Sequence, residues 1–185
     1  MATVRLADYR PAPFRLERTD LTVQLFDDHA LVIAELAFHP DPAAAPVALE
    51  LEGVELEALE LTLDGAPLAA DAYPLEPERL VLHRPPAVPF RFGSRVRIVP
   101  QANTTLEGLY VSGGMFTTQC EAEGFRRITF HPDRPDLLSR FRVRIEADRH
   151  SCPVLLSNGN CVETGELPPD PSGPEGSLRH YAVWD

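Results

Sequence analysis

The chain has 185 residues, 44% of them hydrophobic, and a formal net charge of -11, which suits one domain with a real core. Nucleic-acid binding needs a basic footprint, so this charge excludes it, and no apolar run is long enough to cross a membrane. Nineteen prolines and eleven glycines favour short elements with frequent turns over long helices.

Residues 1–9 contain no apolar core of signal-peptide length, so the expected location is cytoplasmic. Residues 14–27 predict a first long strand, with Leu21, Val23 and Leu25 on one face and Thr22 and Gln24 on the other. Asp27-Asp28-His29 is its turn, and residues 31–38 return as its partner until Pro40-Asp41-Pro42 stops them. Residues 47–63 carry a second alternating pattern, with Gly53 as a bulge or bend. Asp64-Gly65 reads as a hairpin turn into Pro67-Leu68, and it decides against a helix over residues 50–63.

Residues 74–82 and 95–99 continue the series of strands. Residues 109–112 and 117–121 bracket Gly113-Gly114, while Asp133-Arg134-Pro135-Asp136-Leu137-Leu138 predicts a capped single turn of helix. Residues 142–148, 154–157, 162–167 and 178–184 are the closing strands, and Asn158-Gly159 is the clearest type I′ hairpin signal in the chain. Residues 168–176 are rich in proline, glycine and acid and form a solvated loop. Strands recurring about every ten residues without a long helix indicate an all-β sandwich or barrel-like sheet.

Cys120, Cys152 and Cys161 are odd in number and lack a Cys-x-x-Cys pair, so no disulfide framework is expected. His150, Cys152 and Cys161 fall short of the four paired ligands of a structural zinc site. Packed, neutral thiols are the simpler reading.

The stretch from Gly113 to Arg127 breaks the pattern of a core strand by placing amides, carboxylates, a thiol and guanidinium groups at successive positions. Leu106-Glu107-Gly108-Leu109-Tyr110, Ser112-Gly113, Thr118-Gln119-Cys120-Glu121-Ala122-Glu123-Gly124-Phe125-Arg126-Arg127-Ile128-Thr129 and Asp133-Arg134-Pro135-Asp136 together resemble the M1 family of zinc aminopeptidases in their bacterial form. The resemblance runs from Tyr9-Arg10-Pro11, through Leu155-Leu156-Ser157-Asn158-Gly159-Asn160 and Gly165-Glu166-Leu167, to Ala182-Val183-Trp184, almost the whole chain. It implies that residues 1–185 are a single β-rich N-terminal domain, a sandwich or saddle-like sheet missing its last strands, which lends a loop to an active site built by the next domain.

The hydrolytic centre of that family needs His-Glu-x-x-His on a helix, so that two imidazoles one turn apart share a metal. No two of His29, His39, His83, His131, His150 and His180 stand at that spacing, and the Gly-x-Met-Glu-Asn signature is also absent. The resemblance therefore implies no catalytic or metal-binding residue in this chain and zinc only in the full-length enzyme, so the isolated chain is expected not to hydrolyse peptides. Its partners would be a peptide N-terminus and the enzyme's own catalytic domain. By position in the motif, Glu121 would bind the substrate's α-ammonium and Gln119 would hydrogen-bond near the first residue. Alternation shows only that both can face one way if the segment is extended.

The plainer reading of Glu121 is a solvated carboxylate in an acidic protein. Glu123 is read as a structural partner of Arg126 or Arg127, Cys120 as packing on the opposite face, and Met115 and Phe116 as core more readily than pocket. Asp133-Arg134 would be an ion-paired turn supporting the loop, and His131-Pro132 departs from the aromatic-aliphatic pair expected of the family. The alternative to an enzyme fragment is a stand-alone β-module that binds peptides or a partner protein. A carbohydrate-binding sandwich has only its fold class in favour.

Overall fold

The computed structural model describes residues 5–42, 47–69, 73, 75–168 and 178–185. In chain order the strands are β1 (Phe14–Leu25), β2 (Ala30–Pro40), β3 (Leu49–Glu52), β4 (Glu57–Leu63), β5 (Ala66–Pro67), β6 (Leu75–Glu76), β7 (Arg79–Leu82), β8 (Phe90–Ile98), β9 (Gly108–Ser112), β10 (Met115–Gln119), β11 (Arg140–Asp148), β12 (Cys161–Glu166) and β13 (Arg179–Trp184). They form an eight-stranded sheet in the order β12-β13-β11-β1-β2-β8-β4-β5, a three-stranded sheet β3-β7-β6 and the hairpin β9-β10. β1 and β11 run parallel. The fold is all-β, and among the described residues no helix is long and apolar enough to cross a membrane.

Alternation decides which side of the large sheet is inside. Leu16, Leu25, Val32, Leu36, Phe38, Phe90, Phe92 and Val96 are buried from β1, β2 and β8, and they join Leu49, Leu51, Leu80 and Leu82 of the small sheet in one cluster. Phe14, Phe38 and Phe90 pack ring to ring at 5.5–6.3 Å. A bulge between Leu16 and Arg18 shifts the β1 register. Thr19 is thereby turned inward, fully buried, and its hydroxyl bonds Ser139 Oγ at 2.9 Å. At the first hairpin of β4, Asp64 and Gly65 both have positive φ, 51° and 78°, as a two-residue I′ turn requires.

Residues 47–63 are not one bulged strand. They split into β3 and β4, which lie in different sheets. Gly53 stands at the crossing because nothing larger fits: a Cβ there would lie 2.5 Å from two Phe130 ring atoms. Gly53→Ala must push a fully buried aromatic aside, so it is expected to lower unfolding stability by about 2 kcal/mol, read as a fall in the urea midpoint. An unchanged midpoint would show that the ring yields freely.

Three other expectations fail for tertiary reasons. Residues 154–157 have no ladder partner among the described residues; Leu155 is buried in the core while Val154 and Leu156 are exposed. Asn158-Gly159 is correspondingly no hairpin turn. Gly159, at φ 91°, lies against the Asp185 backbone, and Asn160 and Asp185 exchange two backbone hydrogen bonds at 2.9 and 3.0 Å that extend the β12-β13 ladder. Residues 133–138 make only a hydrogen-bonded turn, with Leu137 N–H donating to Arg134 O at 3.4 Å, because the Asp133 carboxylate is engaged elsewhere. The predicted loop at 168–176 falls almost entirely outside the described residues, as does Pro74 at the start of the predicted run 74–82.

Candidate substrate-binding loop

The hairpin β9-β10 pairs Gly108 with Gln119 at one end and Ser112 with Met115 at the other. Gly113 and Gly114 close it with φ of 57° and 82°, both positive as a type I′ turn requires. β10 ends at Gln119. Residues 121–124 then turn, with Gly124 N–H donating to Cys120 O at 2.9 Å, and the Glu121–Ala122 peptide is cis. A Cβ on Gly124 would come within 2.5 Å of Gln119 O and 3.1 Å of Gly108 N, so glycine lets the turn fold back onto the hairpin. A 3-10 turn, Phe125–Arg127, follows.

Gln119 and Glu121 are therefore neighbours, but not as alternate residues on one face of an extended strand. The strand stops between them, and Gln119 Nε2 donates to the Glu121 carbonyl at 2.9 Å. Both side chains are exposed, and Glu121 has no ion pair among the described residues. The other charged groups of the loop are tied down. Arg126 donates from both its backbone N–H (3.1 Å) and Nε (3.0 Å) to Asp133 Oδ2, and its Nη2 lies 3.7 Å from Glu123 Oε2. Burial acts against the Arg126 charge, but the Asp133 hydrogen bond and charge outweigh it and raise its pKa. Arg127 pairs with Glu55 at 2.7 Å and Glu107 at 3.4 Å. The partnership expected for Glu123 is thus with Arg126.

Beneath the loop, Cys120 packs against the core, and burial, helped by the Asp133 charge, pushes its thiol up to about 11. A thiol so raised stays neutral and is a poor nucleophile. Met115 is exposed, whereas Phe116 is partly buried against the core. The next turn is ion-paired as well: Arg134 holds Asp136 at 2.7 Å, Tyr9 OH donates to the same carboxylate at 3.0 Å, and Arg134 Nη2 reaches Arg10 O at 2.9 Å. Arg134, with help from Tyr9, holds the Asp136 carboxyl at about 2.

His131 carries a feature the sequence did not announce. It is 7% exposed, sits 4.5 Å from the Phe125 ring and 6.2 Å from Phe141, and neither ring nitrogen has a hydrogen-bond partner among the described residues. Burial pushes its imidazole down to about 4, against the opposing charge of Asp133. It fills the aromatic place that the family pattern had led us to expect.

A cavity of about 340 Å³ is lined by Glu55, Glu57, Arg97, Asn103, Leu109 and Arg127, and by neither Gln119 nor Glu121. No group of three or more His, Cys, Asp or Glu residues among the described residues is placed to hold a metal ion. The described residues therefore do not fit a zinc site. Fold and loop define a β-domain in which Glu121, exposed and without an ion pair among the described residues, stands on a turn fastened by the Arg126–Asp133 pair.

Comparison with known proteins bears on the fold and the family. The model of the peptidase M1 N-terminal domain matches residues 92–172. Aminopeptidase N of Caulobacter vibrioides is 47% identical over 181 residues, covering 98% of this chain and 20% of that protein. Aminopeptidase N of Escherichia coli is 38% identical, covering 96% and 19%. The crystal structure of Legionella pneumophila aminopeptidase A in complex with aspartic acid superposes with a TM-score of 0.86 at 29% identity, over 98% of this chain and 20% of that one. An M1 zinc metallopeptidase of Deinococcus radiodurans shares the fold at a TM-score of 0.70 and 12% identity. The chain belongs to the M1 peptidase family, as its N-terminal domain. It spans about a fifth of the length of the curated relatives it matches.

Proposed function

We propose that this chain is the substrate-anchoring domain of a zinc-dependent aminopeptidase, with Glu121 as the anchor for the α-ammonium of a peptide and Gln119 as a second contact near the first residue. The observation that carries the reading is the Glu121 carboxylate, exposed and without an ion pair among the described residues, on a loop whose two arginines both have acid partners. An exopeptidase must distinguish a free N-terminus from an internal amide, and the α-ammonium, with a pKa of about 8, is the group that differs. A carboxylate meets it with a charge-assisted hydrogen bond, roughly twice as strong as a neutral one. Zinc in such an enzyme supplies Lewis-acid polarisation and an activated water, and its ligands would come from a following domain. This chain's share of the work is to bind and orient the amine end.

The test uses the full-length protein from the source cells. Release of the N-terminal residue should be seen from a free peptide and should fall at least a hundredfold for the same peptide N-acetylated, while residues 1–185 alone release nothing. Equal cleavage of both peptides would overturn the anchoring role. A native polypeptide of only 20.5 kDa would replace the enzyme with a stand-alone binding module.

A further inference from the structure

The loop that carries Glu121 is fastened at a point five residues downstream, and the fastening runs into the small sheet. Asp133 Oδ2 accepts two hydrogen bonds from one residue, the backbone N–H and the Nε of Arg126. Arg126 Nη2 also reaches Asp133 O at 3.4 Å. Such a double hold fixes both the main chain and the side chain of Arg126. The pair is more enclosed than an ion pair within the small sheet: side-chain exposure is 23% for Arg126 and 13% for Asp133, against 47% and 58% for Arg79 and Glu50.

Asp133 is itself fixed. Its N–H donates to Glu52 Oε2 at 3.1 Å, and Glu52 and His131 exchange backbone hydrogen bonds at 2.9 and 3.0 Å. Val54 N–H, just past β3, donates to Arg126 O at 2.9 Å. On the other side of the turn, Gly124 N–H closes onto Cys120 O and the Gln119 amide onto the Glu121 carbonyl. A continuous path therefore runs from β3 through Asp133 and Arg126 to the turn at whose tip Glu121 stands.

We propose that Asp133 is a positioning residue for Glu121, acting through Arg126. The inference rests on Glu121 being the amine anchor, as read above. A charge-assisted N–H···O contact holds only over about 2.7–2.9 Å, and a displacement of about 1 Å in a positioned group can cost a hundredfold. With no ion pair among the described residues, Glu121 relies on the backbone beneath it for its place. The charge that sets that backbone is Asp133.

The test is a double-mutant cycle in the full-length enzyme, reading KM and kcat separately on a free peptide. Asp133→Ala is expected to raise KM about tenfold with kcat little changed, and to add nothing once Glu121 is alanine, because the two changes remove one interaction. Asp133→Asn keeps the side chain's shape and an acceptor oxygen without the charge and should fall between wild type and Asp133→Ala, whereas a loss of packing alone would be fully restored by it. Should Asp133→Ala fail to fold, Arg126→Gln enters the same cycle with the same expectation. An equal rise in KM in both backgrounds, or none in either, would overturn the positioning role while leaving Glu121 as anchor. A wild-type KM in Glu121→Ala alone would overturn the anchor and this inference with it.

Discussion

Glu121→Ala in the full-length enzyme is expected to lower kcat/KM on free peptides by about 10- to 100-fold, the equivalent of about 1.5–3 kcal/mol for a hydrogen bond to a charged group. The loss should fall mainly on substrates with a free amine. An N-acetylated peptide offers no ammonium, so its slow cleavage should respond little to the same change. Glu121→Gln keeps a hydrogen-bond acceptor without the charge and should lie between the two. The pH profile gives an independent reading: protonated amine is lost as pH rises through about 8, so wild-type capture weakens on that limb, and the variant should lose the dependence. Wild-type kinetics in Glu121→Ala would show the carboxylate to be an ordinary solvated one, the plainer reading of an exposed acid in a chain with 28 of them.

That count also explains what could be read from the sequence about the site. Nothing in residue type separates Glu121 from its neighbours; the motif around it did so, through resemblance. The alternation of β1 and β2 was legible because each strand has one face on the core, that of β8 only over residues 95–98 while its first half, 90–94, read as loop, and Asp64-Gly65 was legible because both residues need positive φ in so short a turn. What alternation does not encode is which sheet a strand joins. Residues 47–63 alternate throughout, yet a ring from Phe130, far along the chain, sets the break at Gly53. Asn158-Gly159 has the local chemistry of a hairpin, but its glycine serves a close approach to Asp185, a contact visible only in three dimensions. The same holds for Gln119 and Glu121. Their spacing of two allowed a common face, and the fold-back of Gly124 against Gln119 O ended the strand before that rule could apply.

The second large effect concerns stability and pH. Unfolded, His131 takes up a proton near pH 6.5; folded, burial lowers that to about 4. Between those values the unfolded chain binds more protons, so stability must fall as pH falls through this window, and above about 6.5 both states are neutral and the histidine contributes no slope. A shift of this size corresponds to about 3 kcal/mol once pH reaches 4. The Asp136 carboxyl acts lower down: held at about 2 by Arg134, it loses its contribution only as pH drops below the ordinary aspartate range, so the two effects are separable. His131→Phe keeps the ring contacts with Phe125 and Phe141 while removing two buried nitrogens without partners. Urea unfolding of residues 1–185 at pH 7.5 and pH 5 should show the variant at least as stable as wild type at the higher pH and about 2 kcal/mol more stable at the lower. If wild type and variant lose stability in parallel between those values, the imidazole finds a proton acceptor in the folded chain, and its neutrality is not what shapes the acid limb.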